Sequence, residues 1–117
     1  MKKIYYLSTC NTCTRIISEL DLPNDFQLQD IKTEVITEDQ IEEMRSLTDS
    51  YESLFSKRAR LYKALDLKNK ALSDNDYKNY ILEHYTFLKR PVVLFNNQIF
   101  IGNSKKTVEA AKQAIHE

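Results

Sequence analysis

The sequence has one glycine, two prolines and no tryptophan. A single glycine cannot build a phosphate-cradling P-loop or a dinucleotide-binding turn, where backbone meets phosphate so closely that a Cβ would clash. Simple nucleotide binding is excluded on that ground. Net charge is missing too, since Lys+Arg and Asp+Glu both number 17. A general nucleic-acid binder needs surplus basic charge to neutralise phosphates, so no direct nucleic-acid contact is expected. No apolar run approaches the ~20 residues of a membrane span, and the opening MKKIYYLSTCNTCTRI lacks the apolar core of a signal peptide. The expectation is a soluble, cytoplasmic chain with no membrane partner. Cysteine is scarce as well, with only Cys10 and Cys13. A bridge between them would close a loop too small to restrain the unfolded chain, so the pair is chemical rather than architectural.

What is present is ordinary for a folded domain. The chain has 117 residues, 42% hydrophobic and 29% charged, which suits one core and is too short for two. Lys3 to Leu7 reads as a short strand, apolar and β-favouring. The period then changes. Cys13, Ile16, Ile17 and Leu20 fall on one helical face that ends near Asp21-Leu22-Pro23. Phe26 to Ile31 alternates apolar and polar residues, as a half-buried strand does. Strand, helix and strand with such short connections predict a parallel βαβ unit.

The middle of the chain reads as helical. Thr37-Glu38-Asp39-Gln40 fits a capping box before Ile41, Met44 and Leu47. Tyr51, Leu54, Phe55, Arg58, Leu61, Tyr62 and Leu65 form a further apolar stripe broken only by the arginine. Ser73 offers a new helix start before Tyr77, Tyr80, Ile81 and Tyr85. Val92–Phe95, Asn96-Asn97 and Gln98–Ile101 read as a hairpin with a turn-favouring Asn pair. Gly102 breaks the strand, and Ser104 caps a closing helix marked by Val108, Ala111 and Ile115. The order is β-α-β, a helical block, then β-β-α.

Cys10 and Cys13 stand where the first strand meets the first helix. Free amides and the dipole of a helix start favour an anion, so a thiol there ionises more readily. The three-residue spacing puts both sulfurs on one side of the first turn, within disulfide reach. Cys13 continues the buried Ile16-Ile17-Leu20 stripe, whereas Cys10 precedes the helix and stays accessible. Cys10 is therefore the candidate nucleophile and Cys13 the candidate resolving thiol. Two other uses compete with this one. The first is half of a zinc site, for which only His84 and His116 could add ligands, neither at finger-like spacing. The second is a pair of inert thiols. Placement favours redox chemistry and no metal.

Arg90-Pro91 is the second signal, because proline cannot donate to a sheet ladder and belongs at the very start of the Val92 strand. Arg90 is a solvated charge at that entry unless the fold brings it beside Cys10. Within the basic run Lys57, Arg58, Arg60 and Lys63, three residues read as a solvated face. Arg58 differs. In the apolar stripe it must find a partner or line a cleft. The tyrosines read as core and surface cover.

With these residues assembled, the chain resembles the glutaredoxin-coupled arsenate reductase and Spx family. The resemblance runs nearly end to end. It rests on the early strand leading to Cys10-Asn11-Thr12-Cys13, on Leu54-Phe55-Ser56-Lys57-Arg58 before Leu61-Tyr62-Lys63, on Leu88-Lys89-Arg90-Pro91-Val92-Val93, and on Ile101-Gly102. It implies an α/β, thioredoxin-like fold: a mixed four-stranded sheet flanked by helices, forming one domain over 1–117 with a helical insertion at about 37–88. It implies Cys10 as nucleophile, Arg90 as the residue that binds an oxyanion and stabilises the thiolate, and Pro91 as a cis-proline facing the cysteine loop. It also implies Arg58 as a substrate-binding arginine. The chain departs from dedicated arsenate reductases of this type, with Tyr6 and Leu7 in place of a His-Asn pair and Gly102-Asn103 in place of a further arginine. Its Cys-x-Thr-Cys loop is closer to Spx and to an arsenate-reductase-like subgroup.

The resulting expectation is a monomeric thiol oxidoreductase with no bound cofactor. It would reduce an oxyanion or disulfide at the expense of glutathione, glutaredoxin, thioredoxin or a similar thiol donor. The alternative is an Spx-like regulator that binds RNA polymerase and uses the cysteine pair as a switch.

Overall fold

The β-favouring residues that open the chain form strand β1, Lys2–Tyr6, whose Ile4 and Tyr5 have no exposed surface. The computed structural model describes residues 1–117. The chain divides into two compact units, Met1–Glu34 with Arg90–Glu117, and Val35–Lys89.

In the first unit, β1 is followed by helix α1, Asn11–Leu20, and strand β2, Gln27–Asp30. Strands β3, Val92–Phe95, and β4, Gln98–Ile101, and helix α5, Lys105–His116, complete it. The sheet order is β2-β1-β3-β4, with β1 parallel to β2 and antiparallel to β3. This is the mixed four-stranded sheet that the family resemblance implies. The parallel pair follows from the crossover through α1, because a short βαβ connection returns the chain in the same direction.

One face of the sheet makes the core of this unit. Ile4 and Val93 meet Ile16 and Leu20 of α1, Val108, Ala111 and Ile115 of α5, and Phe26. Each fully buried large apolar side chain contributes roughly 1.5–3 kcal/mol relative to exposure. The Phe26 and Phe95 rings stack at 5.9 Å. The imidazole Nε2 of His116 donates to the Leu20 carbonyl at 2.7 Å, tying the last turn of α5 to the last turn of α1.

Two local readings of the sequence are corrected. In β2 the expected alternation is displaced, since Leu28 is 49% exposed and Gln29 only 2%. The strand lies at the sheet edge, so Leu28 shares the Ile4 face but sits at its margin. Gln29 lies level with Tyr5, and its amide donates to the Glu34 carbonyl at 3.1 Å, which satisfies the buried group.

The second correction concerns the stripe from Tyr51 to Leu65, which is not one helix. It breaks into a 3-10 turn at Glu52–Leu54, an extended Phe55, and a short helix α3 at Arg60–Ala64. Phe55 forms an antiparallel bridge with Leu88. The Ser56 amide donates to the Phe87 carbonyl at 2.7 Å, and the Lys89 amide to the Leu54 carbonyl at 2.8 Å. This distant segment takes the backbone groups that a continuous helix would have paired internally. Phe55 still serves the core, with ring contacts to Phe87 at 5.2 Å and Tyr77 at 4.8 Å. Arg58 lies before α3 begins and is exposed, so it is not an arginine embedded in an apolar helical face.

The other helices of this unit start where side chains satisfy their free amides. Helix α2, Glu38–Ser46, has a full capping box between Thr37 and Gln40, and α4, Asp74–Glu83, has one between Ser73 and Asp76. In the first unit, the β3–β4 turn places Asn96 at φ 47° and Asn97 at φ 67°. Such a two-residue turn needs positive φ at both central residues, and asparagine tolerates it better than most. Gly102, at φ 95°, stands where an L side chain would be strained.

Candidate active site

The turn between β1 and α1 is closed by the Cys10 amide, which donates to the Leu7 carbonyl at 3.0 Å. Cys10 then takes an extended conformation, φ −96° and ψ 112°, as the residue capping α1. Its carbonyl accepts the first helical bond from the Thr14 amide at 3.1 Å. The first turn of α1 holds no acidic side chain to compete for the free amides. Both thiols are free; Cys10 is partly exposed and Cys13 fully buried.

The two sulfurs therefore differ in chemistry. Burial pushes the Cys10 thiol up, but it is outweighed, and Cys10 lies below its ordinary value. The opposing causes are the Cys13 amide, the Cys13 thiol, the Thr12 amide and, last, the charge of Arg90. Cys13 is pushed up to about 11, first by burial and then by its interaction with Cys10. Of the two thiols Cys10 therefore ionises first, which makes it the better nucleophile.

Arg90 and Pro91 lie at the entry to β3. The Arg90–Pro91 peptide is cis, Pro91 is buried, and the Pro91 carbonyl accepts from the Gly102 amide at 2.9 Å. Val92 lies level with Tyr5 in the β1–β3 ladder. One step further brings Pro91 to the end of the sheet from which the cysteine turn departs. Arg90 is half-buried, and its positive charge favours the thiolate at both cysteines. The structure thus gathers Cys10, Cys13, Arg90 and Pro91 in the first unit, whereas Arg58 belongs to the second.

Two residues at this end of the sheet escape a reading of the sequence. The Asp30 carboxylate, at the end of β2, accepts from the Ser8 hydroxyl at 2.5 Å and the Ser8 amide at 3.4 Å. These residues are 22 apart in sequence and form no local motif. The signal that could have found them is the parallel register, which sets Tyr6 level with Asp30. Each histidine has a partner of its own: His84 Nδ1 accepts from the Thr86 amide at 3.1 Å, and His116 pairs with Leu20. No group of three or more His, Cys, Asp or Glu is placed to hold a metal ion.

A mixed sheet, a polarised cysteine pair at the first helix start and a cis-proline entering the neighbouring strand together define a thioredoxin-like thiol protein. The model of the ArsC family matches residues 5–111, and the chain belongs to that family. Among curated relatives, the global transcriptional regulator Spx of Streptococcus mutans is 24% identical over 112 residues, covering 94% of this chain and 82% of that protein. Among solved structures, an arsenate reductase from Vibrio cholerae superposes with a TM-score of 0.76 at 19% identity, covering 97% of this chain and 96% of that one. An arsenate reductase related protein from Brucella melitensis gives 0.70 at 20% identity, covering 93% and 92%. At these identities the structural likenesses speak to the fold, which is that of the ArsC thioredoxin-like proteins. No helix is long and apolar enough to cross a membrane.

Proposed function

We propose that the chain is a thiol-dependent oxidoreductase, with Cys10 as nucleophile and Cys13 as resolving thiol. The observation that carries the reading is the placement of the pair at the start of α1, Cys10 partly exposed and Cys13 buried, which holds Cys10 below its ordinary value and pushes Cys13 up to about 11. On a disulfide substrate the Cys10 thiolate forms a mixed disulfide and expels one thiolate. Cys10 then carries no negative charge, so two of the causes that raise Cys13 vanish and its proton is lost more easily. The Cys13 thiolate attacks the Cys10 sulfur, releases the second substrate thiol and leaves the Cys10–Cys13 disulfide. Two equivalents of glutathione, or a dithiol protein such as glutaredoxin or thioredoxin, restore both thiols. On an oxyanion such as arsenate, Cys10 would displace water from arsenic. Cys13 would then attack the Cys10 sulfur, and the electron pair of the S–As bond would leave on arsenic as arsenite. In this reading Arg90 would stabilise the thiolate and the bound oxyanion. Pro91 shapes the substrate-binding loop in the same reading, and no bound cofactor is required.

A second reading, an Spx-like regulator that binds RNA polymerase and is switched by the same disulfide, is favoured by one observation. Curated relatives along 94% of the chain are regulators of that name. The deciding experiment combines trapping with activity. A Cys13→Ser variant should accumulate a mixed disulfide or thiolated species on Cys10. The wild type should turn over arsenate or a disulfide in the presence of glutathione and glutaredoxin. Absence of turnover together with capture of RNA polymerase would overturn the enzyme reading in favour of the regulator.

A further inference from the structure

We propose that Asp30 is a positioning residue for Cys10, acting through Ser8. This inference rests on the nucleophilic role of Cys10 proposed above. Asp30 is itself fixed at the end of β2. The Ile31 amide donates to the Tyr6 carbonyl at 2.9 Å, the Lys32 amide donates to the Asp30 carboxylate at 3.2 Å, and the Glu34 amide donates to the Asp30 carbonyl at 2.8 Å. The carboxylate also accepts the Ser8 hydroxyl at 2.5 Å and the Ser8 amide at 3.4 Å. Ser8 lies within the turn that the Cys10 amide closes on the Leu7 carbonyl at 3.0 Å. A charged acceptor binds a hydroxyl and an amide about twice as strongly as a neutral one. The approach to Cys10, exposed at Ser8 and Thr9, is thereby anchored on both sides, to its own strand through Leu7 and to β2 through Asp30. What this anchoring protects is the aim of the Cys13 and Thr12 amides at the Cys10 sulfur, among the chief causes that favour its thiolate. Asp30 is not among the groups that dominate the Cys10 shift.

The sign of the effect separates positioning from simple charge. A carboxylate acting on Cys10 through space would disfavour the thiolate, so its removal would lower the cysteine pKa. A carboxylate that holds the turn does the opposite, because its removal lets the sulfur drift from the amides and the pKa rises. The experiment is the pH profile of iodoacetamide alkylation of Cys10 in wild type, Asp30→Ala, Asp30→Asn, Ser8→Ala and the Ser8→Ala/Asp30→Ala double variant. Each profile is read by mass spectrometry on protein shown to be folded by circular dichroism. Asp30→Ala and Ser8→Ala should each slow alkylation below the thiol pKa about three- to tenfold, as a rise in that pKa requires. The double variant should be no slower than the slower single one, because both cut the same link. Asp30→Asn keeps an oxygen acceptor for Ser8 and should restore most of the rate.

Faster alkylation in Asp30→Ala and Asp30→Asn would overturn the proposal, as would unchanged profiles or additive losses in the double variant. Ser8→Ala keeps the test available if Asp30→Ala fails to fold, since Ser8 is exposed and its hydroxyl is the link in question. A wild-type Cys10 that titrates as an ordinary thiol would instead refute the nucleophile reading on which the proposal stands.

Discussion

At Cys10 the causes that favour the thiolate are ordered: the Cys13 amide and thiol come first, then the Thr12 amide, and the Arg90 charge last. That order makes a comparative prediction. Arg90→Ala should raise the Cys10 pKa and slow its alkylation at neutral pH by a modest factor, about two- to fivefold. Arg90→Lys should recover part of the loss, because an ammonium supplies charge without the planar fork. Cys13→Ala removes the thiol donor altogether and should slow alkylation more than Arg90→Ala does. An Arg90→Ala loss exceeding that of Cys13→Ala would make the guanidinium, not the partner thiol, the main support of Cys10. The cysteine pair was legible in the sequence because its chemistry depends on a single helix start and a short spacing. Its partner Arg90 was legible only through the proline that follows it and through family resemblance. The Ser8–Asp30 link was not legible, since only the sheet register brings those residues together.

Elements whose ends are set by adjacent side chains could be read from the sequence, and those shaped by distant backbone could not. Thr37 and Gln40, Ser73 and Asp76, and Ser104 with the Thr107 amide all cap helices as their spacing implies. Each motif is local to one helix start, so no tertiary contact is needed to place it. Thr37→Ala removes one half of such a box and should cost about 1 kcal/mol in denaturant unfolding with little change in the slope. A loss near zero would mean that water serves the α2 amides as well as threonine does. The segment from Tyr51 to Leu65 has the apolar period of a helix, yet Phe55 pairs with Leu88, far along the chain. Periodicity records which residues are buried; it does not record which backbone they pair with. Oxidation tests the cysteine turn as an element. Because the start of α1 already holds Cys10 and Cys13 on one side of its first turn, mild oxidation should form the intramolecular disulfide with an unchanged far-ultraviolet circular dichroism spectrum. A mainly intermolecular dimer would remove Cys13 from the resolving role.

Across the whole molecule the titrating groups set the pH range over which the fold is stable, and they act with opposite signs at its two ends. Asp25 is held below the ordinary carboxylate range by Lys2, Asp30 by the Ser8 hydroxyl, and Glu42 by Tyr51 and Lys78. A depressed carboxylate contributes stability above its unfolded pKa of about 4, and that contribution is lost as pH falls through the lower folded value. At the alkaline end Cys13 is pushed up to about 11, chiefly by burial. The folded protein then holds a proton that the unfolded chain releases near about 8.5, so stability is intact below that range and falls as pH rises towards the folded value. Lys57, Tyr51 and Tyr77 are raised as well and act in the same direction at somewhat higher pH. Cys10, held below its ordinary value, acts against them and adds stability above the unfolded thiol value, but the raised groups outnumber it. The melting temperature should therefore be nearly level from about pH 5 to about pH 8, drop below about pH 4, and decline again above about pH 9. Cys13→Ala separates the two limbs. It lowers stability overall by opening a small cavity, but it removes the thiol whose proton the fold retains after the unfolded chain has lost it. Its acid limb should parallel that of the wild type, while its alkaline decline should begin later and be shallower. Parallel limbs at both ends would mean that Cys13 ionises in the folded protein as readily as in the unfolded chain, and the division of labour between the two thiols would have no electrostatic basis.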